Sequence, residues 1–217
     1  MTVTVSVLLV RHGESTWNAV GRWQGQADPP LSERGRAQAR VTDVPEVGLI
    51  VASDLDRARE TAGLLAARAP RRLAVEIDPR LRERDAGAFS GLTRTEIHER
   101  FPGLLPDDPA RPADGSGGPA GLIPPPGWEP DETVIARAWQ SLEELARRIR
   151  EAEASAALAV THSGLIYAVE RDLGAARARI ANLEGRWVHR GPTGWSLGDR
   201  HLLVDPTRAD VTRPDAL

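Results

Sequence analysis

The sequence predicts an α/β fold with a largely parallel sheet and helices on both faces. Three observations lead there. Short apolar runs alternate with longer helical stretches along the chain. The length of 217 residues suits one domain with an embellishing insertion. Polar clusters follow directly on apolar runs, at 11–12, 53–57 and 162, and in sheets of this kind ligands gather beyond the carboxyl ends of strands.

The elements follow in order. Residues 3–10 are rich in Val and Leu and end abruptly in Arg11-His12-Gly13, a buried strand feeding a loop. Residues 32–41 read as a helix with Ser32 as its N-cap. A second buried strand spans 47–52, and an Ala-, Leu- and Arg-rich helix spans 56–68. A third strand covers 73–77. A short helix covers 93–101, with Ile97 and Phe101 four apart on one face.

Residues 102–130 hold nine of the 17 prolines and six of the 20 glycines. No helix or central strand tolerates that density, so a long surface excursion is expected, either a disordered insertion or a loop over the active site. The clearest helix spans 131–152, where Val134, Ala138, Leu142, Leu145 and Ile149 recur at spacings of three and four. A fourth strand, 156–160, runs into Thr161-His162. The helix at 165–173 has Gly174 as its C-terminal stop. Late strands are expected around 187–189 and 202–204, and the polar tail from 205 is expected on the surface.

Composition excludes several chemistries. There is no cysteine, which removes disulfides, thiolate metal sites and cysteine nucleophiles and fits a cytoplasmic protein. All 28 basic residues are arginine, so a Walker-type phosphate loop and a Schiff-base lysine are ruled out. A net charge of −3 gives no basic footprint for nucleic acid. No basic segment precedes the first apolar run, so no signal peptide is expected, and no run approaches the ~20 apolar residues that span a bilayer.

The densest chemical signal is Arg11-His12-Gly13-Glu14-Ser15-Thr16-Trp17-Asn18, where Gly13 lets the backbone turn sharply beside His12. From here the chain resembles the histidine phosphatase (phosphoglycerate mutase-like) superfamily, whose signature is Arg-His-Gly after the first strand. The resemblance continues through Gly21-Arg22-Trp23-Gln24-Gly25, through 28–38, and through 53–62, which opens Ser53-Asp54-Leu55-Asp56-Arg57. It takes in Leu81-Arg82-Glu83, Gly87 and Gly91, and ends at Thr161-His162-Ser163-Gly164, spanning most of 3–173.

The resemblance implies a three-layer sandwich and a metal-independent, cofactor-free phosphatase acting on a small phosphorylated metabolite; a homodimer is compatible with family habit. His12 would be the nucleophile, Arg11 and Arg57 phosphate clamps, His162 a further phosphate ligand and Glu83 the proton donor. Asn18, Gln24 and Gly25 would contact the substrate. The chemistry of these residue types agrees. Two arginines match phosphate oxygens with forked donors and disfavour imidazolium nearby, leaving His12 a lone pair for in-line attack on phosphorus. Glu83 would protonate the leaving oxygen and then activate water. No compact ligand cluster for a metal is evident.

Two alternatives remain at this level: a mutase of the same superfamily, and a phospho-ligand binder without catalysis. The region after Glu83 lacks the basic, Tyr-containing segment of mutases. A haloacid-dehalogenase reading of Asp54-Leu55-Asp56 fails because Ala58 stands where Thr or Val belongs, and a serine-hydrolase elbow fails because Thr161 and Leu165 replace its glycines. Trp23 and 102–130, including Trp128, are expected at the pocket mouth. Arg82 and Arg84 read as solvated arginines or as a second anion site. Glu132-Thr133 reads as a helix cap, and the resemblance implies that Asn182 braces the site.

Overall fold

The structure is a computed structural model and describes residues 4–106 and 121–205. Strand β1 (Val5–Arg11) is followed by α1 (Glu33–Ala39), β2 (Leu49–Ala52), α2 (Asp56–Ala66), β3 (Val75–Ile77) and α3 (Arg94–Arg100). Then come α4 (Asp131–Glu151), β4 (Ala156–Thr161), α5 (Ser163–Asp172), β5 (Glu184–Gly191) and β6 (Gly194–Leu202). The strands form one sheet in the order β3-β2-β4-β1-β5-β6. β1, β2, β3 and β4 pair in parallel, while β5 and β6 add antiparallel. This is the expected α/β sandwich with a mostly parallel sheet.

Alternation along β1 sends its side chains to two cores. Val5, Val7 and Leu9 pack against Val134, Leu142 and Ile149 of α4 and Leu165 and Val169 of α5. Leu8 and Val10 pack on the other side against Ala39 of α1 and Ala58, Ala62 and Leu65 of α2. At about 1.5–3 kcal/mol per fully buried aliphatic side chain, these two layers hold β1 and β4 rigidly at the centre of the sheet.

Three expectations need correction and one needs refining. The described arms of 102–130 run mostly exposed but are anchored at two points: Leu105 and Leu122 are buried with Phe89 and Ile97, and the Ile123 amide donates to the Leu104 carbonyl at 2.8 Å. Residues 107–120 lie outside the described residues, as does the tail beyond Asp205. The last strand is β6, not 202–204. Its length was hidden because Gly194, Ser196, Gly198, Asp199 and Arg200 give it no apolar run, and its partner β5 defines it instead. Glu132-Thr133 does not cap α4. Pro130 is the N-cap, with no side-chain bond, and Asp131 pairs with Arg84 and Arg171. Finally, β3 begins at Val75, two residues late, as a half-exposed edge strand.

One contact fixes the loop after β1. Ser32 caps α1 by accepting from the Gly35 amide at 2.9 Å, its hydroxyl donates to Glu14 at 2.7 Å, and its amide donates to the Glu14 carbonyl at 2.8 Å. A Cβ on Gly35 would drive into that carbonyl and the Glu14 amide. Gly35→Ala is therefore expected to destabilise the protein by about 1–3 kcal/mol, the usual cost of overpacking, although Ala is the better helix former. Urea unfolding measures it; a neutral or stabilising result would contradict the close approach.

Candidate active site

The sheet register brings the two histidines together. Arg11 of β1 is level with Thr161 of β4, and the His12 amide donates to the Thr161 carbonyl at 3.0 Å. His12 and His162 thus leave adjacent parallel strands side by side, with ring centroids 5.0 Å apart at 60°. On the other side of β4, the Ser53 amide donates to the Val160 carbonyl at 2.9 Å, and α2 starts three residues later with Arg57 in its first turn. The three polar clusters read from the sequence meet at one end of the sheet, at the carboxyl ends of its central strands.

His12 is 2% exposed. Its Nδ1 lies 2.7 Å from the Gly13 carbonyl. A carbonyl only accepts, so Nδ1 carries the proton and Nε2 carries the lone pair. Arg57 agrees with this tautomer, because its Nε donates to His12 Nε2 at 3.2 Å. Burial, and then the charges of Arg57 and Arg11, hold the His12 imidazole well below its ordinary pKa and therefore neutral near pH 7. The Asn182 amide donates to the His12 carbonyl at 2.8 Å and steadies the extended loop, in which Gly13 makes no sharp turn. Gly13 is anchored through its own amide to Thr61 Oγ1 at 3.0 Å.

Arg57 is fully buried. Its terminal nitrogens donate to the carbonyls of Ala27 at 2.7 Å and Gly25 at 2.9 Å, with the Asp28 carboxylate 3.6 Å away. Burial lowers its pKa to about 10, which leaves it cationic at pH 7. Arg11 donates one nitrogen to the Ile180 carbonyl at 2.8 Å, while its Nε has no partner. Neither ring nitrogen of the buried His162 has a partner, nor does Asn18 Nδ2, although Asn18 Oδ1 is held by the Ser15 amide at 3.2 Å. Burial, and then the neighbouring charges, also lower the pKa of His162.

Buried donors normally have partners, so this group of orphaned ones calls for an acceptor-rich ligand. A phosphoryl group, anionic with several acceptor oxygens, matches them. Glu83 lies across the end of β4. Its Oε1 accepts from the Arg84 amide at 2.8 Å and its Oε2 from the Gly164 amide at 3.1 Å, at the start of α5. Among the described residues, no three His, Asp or Glu side chains are grouped to hold a metal ion.

Comparison with known proteins agrees with this geometry. Residues 7–195 match the model of the histidine phosphatase superfamily, branch 1. The chain belongs to that superfamily. A metal-independent phosphoserine phosphatase of Arabidopsis thaliana is 30% identical to this histidine phosphatase over 204 residues, 92% of this chain and 79% of the relative. A glucosyl-3-phosphoglycerate phosphatase of Mycobacterium tuberculosis is 43% identical over 101 residues, but that match spans only 45% of this chain and 44% of the relative. A mycobacterial glucosyl-3-phosphoglycerate phosphatase structure with VO3 superposes with a TM-score of 0.69 at 28% identity, covering 91% of this chain and 98% of its own. A phosphoglycerate mutase from Bacillus anthracis, at 20% identity and a TM-score of 0.70, shares the fold. Phosphatase activity goes with the superfamily and with these phosphatase relatives.

Within this histidine phosphatase, the structure brings Arg11, His12, Asn18, Arg57 and His162 to one place. Gln24 and Gly25 stand one layer back: Gln24 accepts from the Ser15 hydroxyl at 2.8 Å, and the Gly25 carbonyl holds Arg57. Arg84 is not a solvated arginine. It is 4% exposed, pairs with Asp131 and lies over the Trp128 ring. Arg82 is paired with Asp54 at 2.6 Å. Trp23 and Trp128 pack with Phe89 in the apolar cluster that holds the arms of 102–130. Arg137 was missed, and Thr61 lay within the matched segment 53–62 but was given no role. Thr61 carried a faint signal, lying four residues after Arg57 on the same helix face.

The lowered pKa values set a pH dependence of stability. Unfolding lets both histidines take up protons near 6.5, whereas the folded state resists protonation until lower pH. Stability is therefore complete above 6.5 and falls on acidification, by on the order of 1 kcal/mol per histidine one pH unit lower. Thermal unfolding of the wild type between pH 7.5 and 5.5 should show this loss, and His162→Asn should remove about half of the slope. Equal slopes in the two proteins would contradict it.

Proposed function

We propose that this chain, acting as one domain with a Pro/Gly-rich insertion at 102–130, hydrolyses a small phosphorylated metabolite in the cytoplasm through a phosphohistidine. The observation that carries the proposal is the His12 tautomer: Nδ1–H is bound to the Gly13 carbonyl, leaving the Nε2 lone pair beside the Arg57 guanidinium.

The substrate's phosphoryl oxygens take the free donors of Arg11, Asn18 and His162, and Arg57 turns its Nε–H from His12 to the phosphate. With its charge neutralised, the phosphorus accepts His12 Nε2 in line. The Nε2–P bond forms as the ester P–O bond breaks, and Glu83 gives its proton to the departing oxygen. In the second step Glu83 takes a proton from water, whose oxygen attacks phosphorus. The N–P bond breaks, releasing inorganic phosphate and returning neutral His12. The buried position of Arg11 and Arg57 supports this reading, since Coulomb attraction there is far less screened than at the surface. Among the described residues no helix is long and apolar enough to cross a membrane, and the cysteine-free composition fits a reducing compartment.

The test is hydrolysis of p-nitrophenyl phosphate with EDTA present. Wild type should remain active, and His12→Ala should lose at least about 10³-fold in kcat. Phosphate binding without turnover in the wild type would favour a binding protein, and an active His12→Ala would refute covalent catalysis by this residue.

A further inference from the structure

Arg137 lies on α4, near enough to His162 for its charge to act on that ring, and all five of its N–H groups are used elsewhere. Nε donates to Glu129 at 2.8 Å, and one terminal nitrogen reaches the other Glu129 oxygen at 2.9 Å. The same nitrogen donates to the Glu83 carbonyl at 3.1 Å, and the second donates to the carbonyls of Arg80 at 2.8 Å and Arg82 at 2.5 Å. The one intervening carbonyl, that of Leu81, accepts from Thr161 Oγ1 at 2.7 Å. Four successive carbonyls, 80 to 83, are thereby pinned to α4 and to the end of β4. The Arg137 side chain is only 15% exposed and that of its Glu129 partner 12%.

This segment has no regular structure of its own beyond the short turn at Pro79–Leu81. A backbone outside helix or sheet must find other partners for its buried carbonyls. Here the partner is one planar cation whose fixed fork sets the spacing of the chain it grips. The gripped chain ends at Glu83, whose carboxylate meets the Gly164 amide within hydrogen-bonding distance. A Cβ on Gly164 would collide with that carboxylate, so its place has little tolerance.

We propose that Arg137 is the positioning residue for Glu83, setting where the proton donor meets the leaving oxygen. The proposal rests on the role given to Glu83 above. It differs from a general structural role in one measurable way. A displaced proton donor harms substrates whose leaving group needs a proton and spares those whose anion leaves unaided. Lysine keeps the charge near His162 but has three donors and no planar fork, so Arg137→Lys separates geometry from electrostatics.

The experiment measures kcat/KM, which reports the steps through phosphoryl transfer, on p-nitrophenyl and p-methoxyphenyl phosphate. Wild type, Glu83→Gln and Arg137→Lys are compared. The p-nitrophenyl to p-methoxyphenyl ratio should rise at least about tenfold in both variants. If it rises in Glu83→Gln while Arg137→Lys slows both esters equally, the positioning role is wrong and the role of Glu83 stands. If it is unchanged in Glu83→Gln, the reading of Glu83 fails and this inference fails with it. Should Arg137→Lys not fold, Glu129→Gln, which weakens the anchor of the guanidinium, must raise the ratio in the same direction; an equal slowing of both esters overturns the proposal.

Discussion

The hydrogen bond from His12 Nδ1 to the Gly13 carbonyl, 2.7 Å long, is the smallest part of the site and the one on which its chemistry depends. An imidazole can attack only from the nitrogen without a proton, and this bond decides which nitrogen that is. It needs the Gly13 carbonyl set against the ring of the preceding residue, hence a fixed loop straight after β1. That loop is held by Thr61 from α2, by Asn182 from the approach to β5, and by the contact of Gly35 with Glu14. Three parts of the chain thus converge to fix one proton on one ring.

Around that ring, burial and charge act in the same direction. Removing His12 from water and setting Arg11 and Arg57 beside it both disfavour imidazolium. The arginines are themselves buried, and an unpaired charge there costs several kcal/mol. Arg57 offsets this with the carbonyls of Ala27 and Gly25 and the nearby carboxylate of Asp28. Arg11 is less completely satisfied and keeps its Nε free. The protein holds its cations in place by backbone carbonyls, so that donors are already aimed when a phosphoryl group arrives.

Much of this was legible in the sequence where local chemistry and strand ends coincide. The apolar runs before His12, Ser53 and His162 become β1, β2 and β4, whose register brings those residues together. The five-residue apolar pattern of α4 is its buried face. What could not be read depends on distant partners. β6 is a strand because β5 lies beside it, and no residue pattern of its own announces it. Leu105 and Leu122 look like loop residues until the Phe89 cluster takes them in. Arg84 and Arg137 are two arginines among 28, and only the carbonyls and carboxylates that meet them distinguish them from surface charges. Gln24 and Gly25 fell within the right segment, but the structure turns them toward Ser15 and Arg57.

The account stands most directly on where the phosphoryl group goes. Rapid mixing with excess p-nitrophenyl phosphate, an alkaline quench and peptide mass spectrometry would capture the intermediate, and NMR of the isolated peptide would assign the nitrogen. A phosphoryl group on His12 Nε2, acid-labile and absent from His12→Ala, is the predicted result. A phosphoryl group on His162, or on Nδ1 of His12, would contradict the tautomer and the mechanism built on it.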